Sequence, residues 1–257
     1  MVFCAAFAFA APLFAQQWSK SFEVTGKPTV RVTADDARVS IKGCDCTQVQ
    51  ARVSWQGYKN ENVRITPSQS GNTVSLEVRT REQHLVNFGW ERRSVLIEVT
   101  VPKDLSLEVQ TGDGSVQAAG VAGDLRFKTG DGSLDLTDLD GTLDAASGDG
   151  HIRASGRFDD LRLQTSDGHV DIDVRKGSSL KDSWSVRSGD GSVRMRLPDD
   201  LHANFEARTG DGSIHTDFPV TISGDLSERK HLEGKINGGG GLLTIRTADG
   251  SIYLNKN

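Results

Sequence analysis

Apolar residues recur at alternate positions along most of the chain, the pattern of strands with one buried face. Seven segments share a single frame: apolar, any, apolar, any, Thr or Ser, a small residue, Asp, Gly, Ser or His, apolar. Their Asp-Gly pairs are Asp113-Gly114, Asp131-Gly132, Asp149-Gly150, Asp167-Gly168, Asp190-Gly191, Asp211-Gly212 and Asp249-Gly250. Six residues before each Asp stand Leu107, Leu125, Leu143, Leu161, Trp184, Phe205 and Leu243; three after it stand Val116, Leu134, Ile152, Val170, Val193, Ile214 and Ile252. Alternation that changes phase across a tight pair predicts strand, turn, strand. On this reading Gly supplies a positive φ and Asp accepts turn N–H groups, so the pairs are structural turns before they are anything else.

The first four pairs are spaced 18 residues apart, which suits a rung of two strands with a second turn at Gly120–Gly123, Leu139–Gly141 and Gly156–Asp160. Equal spacing lets rungs stack in register about 4.8 Å apart. The outward positions test that register. Gln117, Asp135, Arg153 and Asp171 form one column, and Arg126, Asp144 and Arg162 another, with opposite charges alternating as cross-strand neighbours require. The fold class is therefore all-β: a single-chain β-solenoid with about 18-residue, two-strand rungs and Asp-Gly turns. Later spacings of 23, 21 and 38 residues predict loops extruded from the opposite edge, at Lys176–Asp182 and Gly224–Gly241.

Residues 16–100 read as an irregular β cap and first rungs, and 101–257 as the regular solenoid. Val30, Val32, Ala34, Asp36 and Val39 fit the frame with Ala37 in place of Gly, a degenerate opening rung. Val63–Ile65 and Val74–Val78 flank Ser70-Gly71-Asn72 as a hairpin. Phe88 and Trp90, with Trp55 and Tyr58, are aromatic candidates for contact with a partner or for plugging the core end.

Val99-Thr100-Val101-Pro102-Lys103, the following Leu105–Gly114 and the repeated Ser/Thr-x-Asp-Gly turns resemble a bacterial family of candidate adhesins with β-strand repeats, a domain of unknown function. The resemblance covers about residues 28 to 255. It implies a toast-rack-like β-solenoid in an exported envelope or surface protein, with no established catalytic residues.

Composition narrows the function. The apolar fraction of 36% suits a thin core spread along an array. A net charge of −5 with interleaved signs offers no basic stripe for nucleic acid. The uncharged run Val2–Phe14, ending Leu13-Phe14-Ala15, reads as the apolar core and cleavage end of a secretory signal over residues 1–15 without its basic start. Export would place the protein in the periplasm, the outer envelope or outside the cell, with no transmembrane helix in the mature chain. Cys44 and Cys46 could close a local disulfide or donate to a metal, and no His or third Cys lies near them in sequence.

No nucleophile elbow, P-loop, zinc-protease or dinucleotide motif occurs. Stacked Asp113, Asp131, Asp149 and Asp167 would repel one another, to be offset by turn N–H groups or by calcium, though the Gly-Gly-x-Gly-x-Asp calcium-roll motif is absent. His151 and His169 share one slot and could join Asp149 and Asp167 around a metal. Asp159-Asp160 and Asp199-Asp200 are local acid pairs, read as pointing opposite ways on strands and so unsuited to paired-carboxylate hydrolysis. The reading is of a non-enzymatic protein with no catalytic, cofactor or metal residues, presenting a surface to an envelope protein or a glycan. The alternatives are an envelope-stress regulatory partner and a polysaccharide-active β-helix.

Overall fold

The computed structural model describes residues 16–81, 93–218 and 230–257. Nearly all of this is extended chain. The first part holds β1 (Gln16–Glu23), β2 (Thr29–Ala34), β3 (Arg38–Cys44), β4 (Gln48–Gln56), β5 (Val63–Ser70), β6 (Thr73–Thr80) and β7 (Ser94–Pro102). The repeats supply β8 (Asp104–Gln110), β9 (Val116–Ala119), β10 (Ala122–Lys128), β11 (Leu134–Ala146), β12 (Ile152–Gln164), β13 (Val170–Val174), β14 (Ser183–Arg187), β15 (Val193–Leu197), β16 (Ala203–Thr209) and β17 (Ile214–Thr216). β18 (His231–Ile236), β19 (Gly241–Thr247) and β20 (Ile252–Lys256) follow.

Strands entering the Asp-Gly corners make one face of a β-solenoid and strands leaving them make the other. On the first face Leu107, Leu125, Leu143 and Leu161 are direct parallel partners. On the second, Val116, Leu134, Ile152, Val170, Val193 and Ile252 run in one column. All are buried, so alternation in sequence becomes a single continuous core between the faces. At the corner opposite the Asp-Gly edge, β11 and β12 bend without breaking. There Gly120, Gly123 and Gly141 take the positive φ values of 68°, 111° and 116° in the order Gly120, Gly141, Gly123.

The order of rungs departs from the order of the chain. β2 lies between β6 and β8, and β3 between β7 and β9. The rung at residues 29–44 therefore forms but is not the opening one; the pair β6 and β7 stacks outside it. At the other end β19 is inserted between β14 and β16, and β20 between β15 and β17. Antiparallel strands then finish the stack. β5 pairs with β6, β4 with β7 and β1 with β4, while β18 covers β16. A paired edge strand hides the backbone groups that an end rung would otherwise leave open. The hairpin turns at Gly71, which has a φ of 57°.

Candidate functional site

The corners are held by hydroxyls. Thr129 Oγ1 lies 2.8 Å from the Gly112 carbonyl and 3.0 Å from that of Gly114, donating to one at a time, and accepts the Gly132 N–H at 3.2 Å. Ser147, Thr165, Ser188, Thr209 and Thr247 repeat the arrangement, each accepting the N–H of its own corner glycine. With Thr111 they are the buried polar side chains among the described residues, and no buried side-chain polar atom there lacks a partner. The Thr/Ser slot of the frame thus stitches each rung to the next inside the core.

This changes the roles assigned to Asp and Gly. No corner glycine of an Asp-Gly pair has a positive φ. Glycine is required there because a Cβ would meet the carbonyl of the neighbouring rung: 1.8 Å from Ala37 O at Gly114, 2.2 Å from Gly114 O at Gly132 and 2.0 Å from Gly132 O at Gly150. The turn N–H goes to Thr or Ser, so the carboxylates of Asp131, Asp149 and Asp167 receive no backbone hydrogen bond among the described residues. They stand exposed in a row, and Asp131 and then Asp167 push the Asp149 carboxyl above its ordinary value. Asp190, Asp249 and Asp211 extend the row in that spatial order, with Lys230 3.2 Å from Asp211.

His151 and His169 stack face to face, their centroids 5.2 Å apart. Each Nδ1 accepts a backbone N–H from the next rung, from His169 at 3.1 Å and from Ser192 at 3.0 Å. That fixes the neutral ring's proton on Nε2 and leaves no lone pair for a metal. Ser192 and Ser251 continue the same ladder through their hydroxyls.

The acid pairs also differ from expectation. A register shift at Gly141/Thr142 places both Asp159 and Asp160 outside the core, and Asp199-Asp200 lie in a turn, not a strand. Arg157 bridges Asp140 and Asp159, which raises its already high pKa and holds it charged. Arg175 pairs with Asp138 beside it.

The outer charge columns pair as cross-strand neighbours, with Arg153 3.1 Å from Asp135, Arg194 3.2 Å from Asp171 and Arg126 3.7 Å from Asp144. At the C-terminal end of the first face the adjoining outward column, which holds Gln110, Lys128, Ala146 and Gln164 on earlier rungs, sets like charges side by side. Arg187 opposes Arg246, Arg246 opposes Arg208, and Arg208 opposes His231. Beneath them Glu206 is shared by Arg208 at 2.7 Å and Arg246 at 3.3 Å, and His231 meets Glu233 at 3.0 Å. Ligand atoms of Glu206, His231 and Glu233 approach within 4.8 Å of one another, but the two guanidinium groups on Glu206 compete with any cation there. Asn204, Glu206, Glu233, Lys235 and Leu242 line an open concavity of about 520 Å³.

The family model Toastrack DUF4097 matches residues 29–142, 105–190 and 142–255, three overlapping stretches that span the whole array. The chain belongs to the Toastrack family. Solved structures similar to this Toastrack chain include a candidate cell adhesion protein from Clostridium sporogenes, at 12% identity and TM-score 0.45 over 95% of this chain and 100% of that one. A candidate adhesin from Bacteroides fragilis matches at 12% and 0.45 over 94% and 97%, and a candidate lipid-binding protein from Parabacteroides distasonis at 13% and 0.43 over 94% and 96%. No curated protein matches it.

The remaining sequence candidates of the Toastrack chain are dispersed. Phe88 and Trp90 lie outside the described residues, as do residues 1–15 and 224–229. Trp55 and Tyr58 pack partly buried against the core. Cys44 and Cys46 form a disulfide at the end of β3. Lys176–Asp182 is a loop, but it sends Leu180 back into the core. The stretch before Gly241 is not simply extruded, since it contains the covering strand β18. No helix among the described residues is long and apolar enough to cross a membrane. Sequence reasoning passed over Arg187, Arg208 and Arg246, although all three stand in one slot, the third residue before Asp.

Proposed function

We propose that this protein is a non-enzymatic, exported β-solenoid that works as an adhesin-like binding surface in the cell envelope or outside the cell. One observation carries the reading. Among the described residues the space between the two faces is filled by one continuous cluster of buried side chains, so their polar chemistry is spread over outward columns and open concavities. Repeated, stacked side chains suit an extended partner better than a small substrate, which calls for a concave pocket with convergent polar groups. The apolar run ahead of Gln16 supports export. Purified residues 16–257 applied to a glycan array and to defined envelope components should show saturable binding. Turnover of a polysaccharide that disappears on changing one surface acid would refute the non-enzymatic role.

A further inference from the structure

We propose that the C-terminal end of the first face binds a carboxylate-bearing polysaccharide laid along the solenoid axis, with Arg187, Arg246 and Arg208 taking its carboxylates. The proposal rests on the binding-surface reading above and names its ligand. On the earlier rungs of this face the same column holds Thr33, Gln110, Lys128, Ala146 and Gln164, with no two charges side by side, and the adjoining outward column alternates in sign through Arg31, Glu108, Arg126, Asp144 and Arg162. Here three successive strands present arginine at the same level. Like charges set directly opposite each other destabilise a sheet, and Glu206 offsets only two of the three. Arg187 makes no ion pair among the described residues, and all three arginines are exposed. The column is completed by an anion from outside.

The geometry selects the kind of anion. The guanidinium fork matches a carboxylate in two parallel hydrogen bonds. Adjacent arginines are one strand apart, about 4.8 Å, close to the advance of one pyranose unit along a chain, so a polymer on the axis meets one arginine per unit. The next level down offers Thr244 and Glu206, and the one below it Asn204, the donors and acceptors that sugar hydroxyls need. The exposed aspartates Asp190, Asp249 and Asp211 just past the same three strands, and the net charge of −5, repel any polyanion, and repel polyphosphate, with its higher charge per unit length, more than a polysaccharide with one carboxylate per sugar.

The test is calorimetric titration of the full chain with polygalacturonate, its methyl-esterified neutral form and inorganic polyphosphate, at near-physiological salt. The wild type should bind polygalacturonate and bind the ester at least about tenfold more weakly, the order of one lost charge-assisted pair. The triple variant Arg187→Gln, Arg208→Gln, Arg246→Gln should lose at least as much, while Arg126→Gln with Arg162→Gln on the same face should change nothing. Arg187→Gln alone, which breaks no internal ion pair among the described residues, should also weaken binding and serves if the triple variant unfolds. Equal binding of ester and acid, tighter binding of polyphosphate, no binding of polygalacturonate, or an unaffected arginine variant would overturn the proposal. Saturable binding of neutral glycans by the same protein would leave the binding-surface reading standing while this assignment fell.

Discussion

Gly150 and Gly71 show two reasons for a glycine. At Gly71 the backbone has a positive φ and a Cβ would meet open space. At Gly150 the backbone is ordinary and a Cβ would sit 2.0 Å from the Gly132 carbonyl. Both stand in turn-like sequence, and composition alone does not separate a conformational need from a need for close approach, so the pattern suggests the conformational one at every corner. The smallest side chain therefore tests the corner. Gly150→Ala should destabilise by about 1–3 kcal/mol, the range for overpacking a tight site, and thermal unfolding measures it. An unchanged melting temperature would contradict the close stacking. The hydroxyl slot was visible as Thr or Ser, but its purpose depends on a carbonyl from another rung. Thr129→Val keeps the shape and strands the Gly132 N–H, for an expected loss of about 1–3 kcal/mol. Thr129→Ser should recover most of it in denaturant titration.

Strands and their facing columns were the most legible element, because burial on one side imposes a period of two and a slip by one residue would turn the core outward. The Asp135–Arg153–Asp171 column is formed as the spacing required. Bulges carry no such period, which is why Asp159 and Asp160 both emerge on the surface. The aspartate row is the element most open to experiment. Asp131 and Asp167 hold the Asp149 carboxyl above its ordinary value in the folded protein. Its protonated form is therefore favoured by folding. The stabilising contribution is complete below the unfolded carboxylate value of about 3.9 and is lost as pH rises through the folded-state value. At neutral pH Asp149→Asn should melt higher than the wild type, and the difference should shrink in acid and with added salt, which screens exposed charge. A gap that widened in acid would show that the row is offset in some other way.

The path of the whole chain was the least legible feature. Spacings of 18, 23, 21 and 38 residues show where chain has been added, but identical frames can stack in any order that buries the same columns. The structure inserts β19 and β20 between rungs made earlier in the chain, and this also joins Arg246 to Arg187 and Arg208. Neighbour contacts dominate the stability of such an array, so two deletions of similar length should have opposite consequences. Removing residues 132–149 joins Asp131 to Gly150, takes out one whole repeat and lets β10 stack on β12 in the same frame. That variant should still fold, with a cooperative transition at a lower temperature. Removing residues 241–257 takes the shared neighbour from β14 and β16, and from β15 and β17. It should abolish cooperative unfolding of the C-terminal half, seen as a lost thermal transition and rapid proteolysis there. In a solenoid stacked in chain order the second deletion would merely trim the end, so a cooperative, protease-resistant product would refute the inserted rung.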